Sequence, residues 1–449
     1  MLTPFPRQQE AIDKMVELVK KNSFALNTSG LGSGKTLQAI ETCKILGKAP
    51  VVVAPASTLT AWERALDEQE VEYFDVLSWD KARTGKTKWY TRNKRARYGR
   101  WRIPRNGILI FDEVHKAKAG SKTLQGRMAV DAASQGVPTI ALSGTPFENP
   151  LHCEYLAIAT KEIQDSYSFK SWCRKRGCYQ NYFNGWEFNP FKPEGEAGLS
   201  YLRNLLYGEN GCAVQITRKD LAEFFTTSTL HEILVDFDSK TLKEMKKLEK
   251  YVLRMDQQRE EDLERDIQKF NEAMEKGREP VLSTHLREIL RARQEIEVLK
   301  TPILAEKIEE ILSEKKSVVV FVNFRETTDA LLTQFPDVPS VVIDGTKTGH
   351  KRQEEIDKFQ RDEAYLAIVQ FQAGGAGISL HDVRGSRPRA SILNTTFSVT
   401  DTLQALGRID RAGAKSDTEQ FILVAAGTYE EEVFKAVKEK HYAMQKAVL

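Results

Sequence analysis

The sequence predicts an α/β protein built from two tandem parallel-sheet lobes with helical insertions. Short apolar runs alternate with longer amphipathic segments, which is the pattern of parallel strands joined by helical crossovers. This alternation occurs twice, between residues 24 and 142 and again between residues 317 and 424. The chain has 449 residues, 41% hydrophobic and 29% charged, so it is long enough for two or three globular domains. We therefore expect an N-terminal lobe over residues 1–226 and a C-terminal lobe over residues 227–449.

The predicted strands and insertions follow from the order of apolar and polar stretches. In the first lobe the apolar runs are Phe24–Leu26, Val51–Ala54, Val76–Leu77, Ile108–Phe111 and Thr139–Leu142. In the second lobe they are Ser317–Val322, Ser340–Ile343, Leu366–Gln370, Ser391–Leu393 and Phe421–Val424. A basic insert at 81–105 and an aromatic, helical insert at 150–215 interrupt the first lobe, and a densely charged insertion at 238–300 interrupts the second. The charged insertion predicts long exposed helices with an apolar stripe that packs on a neighbour, formed by Leu242, Met245, Leu248, Val252 and Met255.

A glycine-rich loop joins the first predicted strand to a predicted helix. Its sequence is Ser-Gly-Leu-Gly-Ser-Gly-Lys-Thr, residues 29–36, with serine where the usual phosphate-loop pattern begins with glycine. Glycines let backbone N–H groups surround phosphates, and the following helix directs its positive end at them. Lys35 would neutralise the β- and γ-phosphates, and the Thr36 hydroxyl would hold Mg²⁺. The residues predicted to bind ATP here are Ser29, Gly30, Gly32, Ser33, Gly34, Lys35 and Thr36.

A second motif supplies carboxylates. The buried-strand pattern Ile108–Phe111 ends in Asp112 and Glu113. Asp112 is predicted to hold Mg²⁺ together with Thr36, and Glu113 to orient and deprotonate an attacking water. An acidic turn after a strand is common, but the two motifs in this order indicate an ATPase.

The net charge of +3 is unevenly distributed along the chain. Residues 81–105 contain eleven Lys/Arg and no Asp or Glu, whereas the rest of the chain has 55 Lys/Arg and 63 Asp/Glu. Cations neutralise phosphates and aromatic faces stack on unpaired bases, so this mixture favours nucleic acid over a merely solvated loop. The predicted nucleic-acid-binding residues are Lys88, Trp89, Arg92, Lys94, Arg95, Arg97, Arg100, Trp101 and Arg102.

Membrane and disulfide signals are weak in this sequence. No run of about 18 apolar residues predicts a membrane span, and the N-terminus lacks the apolar core of a secretory signal. Five cysteines, an odd number at irregular spacing, favour a reducing compartment. Cys173 and Cys178, with Cys153 and Cys212, could be considered as a zinc site, but their spacing favours ordinary packing. The expected location is the cytoplasm of a bacterial or phage-infected cell, or the nucleus in a eukaryote.

Further motifs occur in a fixed order around these two sites. They are Pro4–Ile12, Val51–Trp62, Ser143–Pro146, Ile216–Lys219, Val318–Phe324, Gln372–Leu380 and Gln404–Arg411. In this order the motifs resemble those of superfamily II nucleic-acid translocases, and most closely their Swi/Snf-like branch. The resemblance covers nearly the whole chain apart from the insertions, and it implies that both lobes are RecA-like.

The resemblance also implies roles for individual residues. Gln8 would read the adenine, and Gly377 in the segment 372–380 would belong to the nucleotide-binding set. Arg408 and Arg411, one turn apart on a predicted helix face, would act as arginine fingers when the lobes close. With Lys35, Asp112 and Glu113 they complete the predicted catalytic set, and the predicted cofactors are ATP and Mg²⁺.

The function expected from this set is DNA-dependent ATP hydrolysis coupled to movement along duplex or branched DNA, as in fork regression or Holliday-junction branch migration. Binding would be independent of sequence because phosphate contacts carry no base information. Other replication or recombination proteins are considered as further partners, and no membrane is expected. Three alternatives stay open: a strand-separating RNA or DNA helicase, a chromatin-type remodeller and a non-enzymatic scaffold. The chromatin role is disfavoured because Ala-Gly-Ala-Lys follows Arg411 and no accessory module is recognisable.

Overall fold

The structure is a computed structural model. It describes residues 3–30, 32–85, 87–92, 98–182, 184–217, 219–252, 284–347, 350–371, 378–396 and 398–448. The chain divides into two compact units, Met1–Ala222 with Lys440–Leu449, and Glu223–Glu439. Each unit contains a six-stranded parallel sheet among the described residues. The predicted α/β fold with two tandem parallel-sheet lobes is therefore confirmed, whereas the boundary at 226/227 stays a prediction.

The first unit is organised around a sheet with the strand order β10-β1-β7-β6-β2-β3. Its strands are β1 (Phe24–Asn27), β2 (Ala49–Ala54), β3 (Asp75–Ser78), β6 (Gly107–Asp112), β7 (Thr139–Leu142) and β10 (Ala213–Val214). Two antiparallel hairpins stand outside it, β4 (Tyr90–Arg92) with β5 (Gly99–Trp101) and β8 (Cys178–Gln180) with β9 (Trp186–Phe188). All five predicted strands of this lobe are present, and the sheet strands are buried on both faces as crossover topology requires.

Helices connect these strands. The α-helices of the first unit are Pro6–Asn22, Lys35–Leu46, Leu59–Glu68, Trp79–Arg83, Leu124–Ser134, Glu154–Ala159, Phe169–Arg174 and Pro193–Tyr207. Short 3-10 turns occupy Ala56–Thr58, Val114–Ala117, Gly120–Lys122, Pro150–His152 and Lys219–Phe224.

The second unit repeats the architecture with the strand order β11-β16-β15-β12-β14-β13. Its strands are β11 (Ser228–Val235), β12 (Ser317–Val322), β13 (Ser340–Ile343), β14 (Leu366–Gln370), β15 (Arg389–Asn394) and β16 (Thr418–Ala425). Among the described residues from 239 onward, the α-helices are Ser239–Val252, Thr284–Leu299, Thr301–Ser313, Arg325–Gln334, His350–Gln360, Val399–Leu406 and Tyr429–Val448. Central strand β12 sends Val319 and Phe321 into one core and Val318, Val320 and Val322 into the other. This burial on both faces is why its sequence is continuously apolar.

The charged insertion differs from the prediction of long exposed helices. In the helix Thr284–Leu299, Ala292 and Ile296 are buried and pack with Met245 of the helix Ser239–Val252. The predicted apolar stripe is therefore core packing at Met245, while Met255 lies outside the described residues. The buried face of the helix Thr284–Leu299 was not predicted, because the dense charge along this helix obscures its narrow apolar face.

The hydrogen bonds of Ser29 explain why serine occupies the position where the usual phosphate-loop pattern begins with glycine. Its Oγ accepts a hydrogen bond of 2.9 Å from the backbone N–H of Ile216, and the Gly30 N–H donates to the Ile216 carbonyl at 3.0 Å. These bonds extend the β1–β10 pairing into the phosphate loop. A glycine at this position would leave the Ile216 N–H without that acceptor, so the hydroxyl belongs to the fold of the loop.

We expect Ser29→Ala to lower the free energy of unfolding of the first unit by about 1–3 kcal/mol, because a buried N–H loses its acceptor. All six tryptophans precede residue 187, so urea unfolding followed by tryptophan fluorescence reports on this unit. Ser200→Ala, at an exposed position of the helix Pro193–Tyr207, is the control. Equal stability of Ser29→Ala and the wild type would contradict a stabilising role for this bond.

Candidate active site

Three neighbouring strands bring the predicted nucleotide motifs to one edge of the first sheet. In the parallel register, Asn27 at the end of β1 lies opposite Leu142 of β7, and Leu142 lies opposite Asp112 of β6. The segments that follow these strands are the phosphate loop, the Ser143–Pro146 motif and the turn at Glu113. Since all three leave the carboxyl ends of adjacent strands, they form one site, as expected for an open α/β sheet.

The phosphate loop takes a backbone conformation that requires glycine. Gly32 and Gly34 have φ of 74° and 83°, in the left-handed region that side chains disfavour. Gly34 directly precedes the helix Lys35–Leu46, and a Cβ on it would lie 2.5 Å from the Nε2 of Gln8. The predicted strand–loop–helix context is thus present, with the helix beginning at Lys35.

Gln8 lies against this loop. Its Nε2 donates to the Ser33 carbonyl at 2.8 Å, and its Oε1 accepts from the Phe5 N–H at 2.9 Å. The side chain is buried, and the structure brings it to the phosphate loop as the sequence motif implied. Its contact with adenine stays a prediction.

Asn27 and Gln38 are positioning residues that the sequence analysis missed. The Asn27 Oδ1 accepts from the Ser29 N–H at 3.0 Å, and its Nδ2 donates to the Gln38 Oε1 at 2.7 Å. The Gln38 Nε2 in turn donates to the Ser33 carbonyl at 2.8 Å. Both side chains are fully buried. A polar residue at the end of an apolar strand was the available signal, because buried amides require partners.

The Lys35 ammonium lies over the loop. Its Nζ donates to the carbonyls of Ser29 and Gly30 at 2.9 and 3.1 Å, and it favours the ionised form of Asp112. A Cβ on Gly144 would lie 3.8 Å from this Nζ and 3.4 Å from the Ser29 carbonyl. The Ser143–Pro146 motif therefore packs directly on the phosphate loop. Thr36 occupies the first turn of the helix that begins at Lys35.

Asp112 is partly buried, and two tryptophans donate hydrogen bonds to it, one to the carboxylate and one to the backbone carbonyl. The Trp62 Nε1 donates to its Oδ2 at 2.9 Å, and the Trp79 Nε1 donates to its backbone carbonyl at 2.8 Å. Burial, followed by the neighbouring Glu113 charge, raises the pKa of Asp112 from 3.8 to about 7. A cation beside this carboxylate would favour its ionised form. Carboxylate and hydroxyl oxygens are donors that Mg²⁺ prefers, so Asp112 and Thr36 suit that ion.

Glu113 connects to the Ser143 motif through a histidine. Glu113 has a left-handed backbone with φ of 54°, and its Oε2 lies 3.2 Å from the His115 Nδ1. The same nitrogen lies 3.2 Å from the Ser143 Oγ, which accepts from the Thr145 N–H at 3.1 Å. The sequence analysis gave His115 no role. This chain of contacts makes it the link between the two motifs.

The structure contradicts the helix predicted for Arg408 and Arg411. The helix Val399–Leu406 ends before both residues, with Gly407 as its C-cap. The Arg408 Nη1 donates to the Ile378 carbonyl at 3.3 Å, and the Arg411 Nη1 donates to the Ser379 Oγ at 2.6 Å. The two arginines therefore both contact residues 378–379 of the motif Gln372–Leu380 rather than sharing a helix face. Arg408 is only 2% exposed, and Gly377 lies outside the described residues.

The basic insert contains the hairpin β4–β5, and its two tryptophans are buried. Trp89 is 7% and Trp101 is 4% exposed, and their indole nitrogens donate to the Asp75 Oδ2 at 2.8 Å and the Met128 carbonyl at 2.9 Å. The stacking role predicted for these two tryptophans is therefore wrong. Their indoles have apolar bodies that complete the core, and sequence alone does not distinguish this from a base platform.

The cations of this hairpin point outward. Strand β5 alternates so that Arg100 is exposed between the buried Gly99 and Trp101. Lys88 and Arg102 are also exposed, and Arg92 is partly so. Lys94, Arg95 and Arg97 lie outside the described residues. The described cations thus form a basic surface on the first unit, and their contact with nucleic acid stays a prediction.

Two further features of the described residues concern metal or disulfide sites and membrane spans. All five cysteines are buried and unbridged, and no group of three metal-ligating side chains occurs among the described residues. Within the described ranges, no helix has the length and apolarity to cross a membrane.

Comparison with known proteins finds a helicase domain model and relatives that are named as helicases or as DNA repair and recombination proteins. Residues 303–413 match the family model described as the helicase conserved C-terminal domain. A protein of Acanthamoeba polyphaga mimivirus, named as an ATP-dependent RNA helicase (L364), is 28% identical over 97% of this chain and 82% of its own length.

Two further relatives carry the name DNA repair and recombination protein. The RAD54-like protein of Drosophila willistoni is 22% identical over 95% of this chain, and RAD54 of Saccharomyces cerevisiae is 28% identical over 26% of it. The chain spans 61% and 13% of the lengths of these two proteins. With the two parallel-sheet units and the ordered motifs, these matches support a superfamily II helicase of the Swi/Snf-like kind, an ATP-hydrolysing enzyme with activity on nucleic acid.

Proposed function

We propose that this enzyme is a DNA-dependent ATPase that translocates on duplex or branched DNA and remodels replication forks or Holliday junctions. The observation that carries the proposal is the meeting of the phosphate loop, Asp112 and the Ser143 motif at adjacent strand ends. Such a site holds a triphosphate beside a carboxylate pair, which is the arrangement that phosphoryl transfer needs.

Within this site each residue has a proposed task. Lys35 exchanges its loop carbonyls for the β- and γ-phosphates, and the N–H groups of residues 34–36 at the start of the helix Lys35–Leu46 donate to the same oxygens. Thr36 and Asp112 hold Mg²⁺, which when bound neutralises developing charge on the phosphates. Glu113 orients the attacking water and accepts its proton. His115 fixes the Glu113 carboxylate through its 3.2 Å contact.

Arg408 and Arg411 are proposed to neutralise charge on the departing γ-phosphoryl group. To do so, their guanidinium groups exchange the Ile378 carbonyl and the Ser379 hydroxyl for phosphate oxygens. This exchange links the chemical step to a movement of the segment that contains Ile378 and Ser379. A motor requires such a link, because hydrolysis without movement would yield no translocation.

DNA is the proposed track for two reasons. Two relatives are named for DNA repair and recombination, and the exposed cations Lys88, Arg100 and Arg102 offer phosphate contacts without base readout. Recombination or replication proteins are accordingly proposed as partners. The second candidate is an RNA helicase, because the mimivirus relative carries that name and aligns with 97% of this chain.

We expect ATP hydrolysis to be stimulated by duplex and branched DNA more strongly than by RNA. The measurement is the rate of phosphate release without nucleic acid and with single-stranded, blunt duplex, forked and four-way-junction DNA, beside the matching RNA set. Stimulation by RNA alone would replace the proposal with the RNA helicase, and no stimulation by any DNA would reject it.

Glu113→Gln should lower kcat by about 10²–10⁴-fold, because the general base is lost. Nucleotide affinity should persist, since the phosphate loop is unchanged. Phosphate release gives kcat, and binding of a fluorescent ATP analogue gives Kd. Glu63→Gln, an exposed carboxylate on the helix Leu59–Glu68, is the control and should retain full turnover. Wild-type turnover in Glu113→Gln would show that another group activates the water.

Combined replacement of Lys88, Arg100 and Arg102 by glutamine should weaken DNA binding and flatten its salt dependence. Each lost phosphate contact reduces the slope of log K against log salt by about 0.9. A triple replacement of Lys14, Lys20 and Lys21 removes the same charge from the exposed face of the helix Pro6–Asn22 and serves as the control. Equal slopes for both triple variants would mean that the hairpin cations do not contact phosphates.

A further inference from the structure

A cavity of about 80 Å³ lies at the amino ends of strands β1 and β7, at the edge of the first sheet opposite the candidate active site. Phe24 and Thr139, the first residues of these two strands, both line it. Protein interiors contain few voids larger than one water molecule, which needs about 10–15 Å³. A space several times that size within the first unit suggests an occupant other than a single water.

The inner wall of the cavity is mostly apolar. Small side chains on the helices Leu124–Ser134 and Glu154–Ala159 and two aromatic rings on the strands contribute to it, namely Ala129, Ala132, Ala159, Phe24 and Phe111. All five residues are buried. Alanine side chains leave space between helix and sheet, and phenylalanine provides a surface on which another ring can pack. A wall of this composition fits a small planar ring.

One buried polar side chain belongs to this wall. Tyr155 lines the cavity and is 2% exposed, and its hydroxyl has no hydrogen-bond partner among the described residues. Leaving a buried hydroxyl without a partner is unfavourable, so native proteins nearly always supply one. Burial raises the pKa of Tyr155 well above its ordinary value, so the hydroxyl keeps its proton at neutral pH and can donate a hydrogen bond. The cavity is the space from which an acceptor can reach it.

Other lining residues lie at the surface and mark an entrance. Gly136 and Lys161 are exposed, and Asn22, Ser23 and Val137 are half-buried. A Cβ on Gly136 would meet no atom of the described residues within 4 Å. A small molecule can therefore enter from this side without unfolding of the unit.

We propose that this cavity is a binding site for a small uncharged molecule with one aromatic ring and an oxygen that can accept a hydrogen bond. The ring packs against the alanines, Phe24 and Phe111, and the oxygen accepts from the Tyr155 hydroxyl. Among the lining residues that the structure describes, Lys161 alone is charged, and it is exposed. This favours an uncharged ligand, because burying an unpaired charge is costly. The site is separate from the nucleotide-binding residues, so it goes beyond the function proposed above.

The experiment measures binding of phenol and toluene to the full chain, since these probes have the same ring and differ by a hydroxyl in place of a methyl group. Titration followed by saturation-transfer NMR gives Kd for each probe. Tyr155→Phe keeps the ring of the side chain and removes its oxygen. Ala133→Leu places a larger side chain in the lining, and Ala197→Leu, at an exposed position of the helix Pro193–Tyr207, is the matched control. Circular dichroism verifies that each variant is folded.

Both probes should bind wild type and Ala197→Leu equally, and Ala133→Leu should weaken both by about ten-fold. Tyr155→Phe should weaken phenol relative to toluene by about three- to ten-fold, because the hydrogen bond is lost. The proposal is overturned if neither probe binds wild type, which would leave water as the occupant, or if the ratio of the two Kd values is the same in Tyr155→Phe. Unchanged binding to a folded Ala133→Leu would also overturn it. If Ala133→Leu does not fold, the ratio in Tyr155→Phe decides, since that variant barely changes the volume of the side chain.

Discussion

The parallel register of β1, β7 and β6 is the constraint on which the rest of the site depends. These three adjacent strands end at the same level of the sheet. The phosphate loop, the carboxylate pair and the Ser143–Gly144 turn that follow them therefore lie side by side at its edge. The contacts between them are short: Gly144 packs on the Ser29 carbonyl, and the His115 side chain connects those of Glu113 and Ser143. The sheet and these contacts together position the three motifs relative to one another.

Buried polar side chains position the loops at this edge of the sheet through hydrogen bonds. The side chains of Asn27, Gln38 and Gln8 make hydrogen bonds to backbone groups of the phosphate loop. The Ser29 hydroxyl accepts a hydrogen bond from the Ile216 N–H. The second unit shows the same strategy: the Glu297 carboxylate accepts from Asn323, Phe324 and Thr327, and thereby connects the charged insertion to the strand end of β12. Each of these groups is buried and hydrogen-bonded, so removing one leaves a partner unsatisfied rather than merely deleting a contact.

Sequence patterns predicted the central sheet strands well. Such a strand is buried on both faces, so it has a short and continuous run of apolar residues that is easy to recognise. The same rule missed β11, an edge strand that is largely exposed and in which the polar residues Thr229, His231 and Glu232 interrupt the apolar ones. It also missed both hairpins, since three-residue strands are too short for a period to register. The base-stacking role predicted for Trp89 and Trp101 could not be distinguished from core packing, because a tryptophan next to basic residues has the same sequence pattern in both cases. Arg408 and Arg411 failed as a helical pair because one glycine, Gly407, ended the helix that their spacing suggested.

Trp62 occupies an unusual position among these buried side chains. It closes the motif Val51–Trp62, one of those that resemble the motifs of nucleic-acid translocases, and its indole N–H donates to the Oδ2 of Asp112. A single buried side chain therefore connects this motif to the carboxylate that suits the metal. Thermodynamic linkage is symmetrical, so if a ligand at this motif displaced the indole and changed cation affinity, cation binding would change the affinity for that ligand by the same factor.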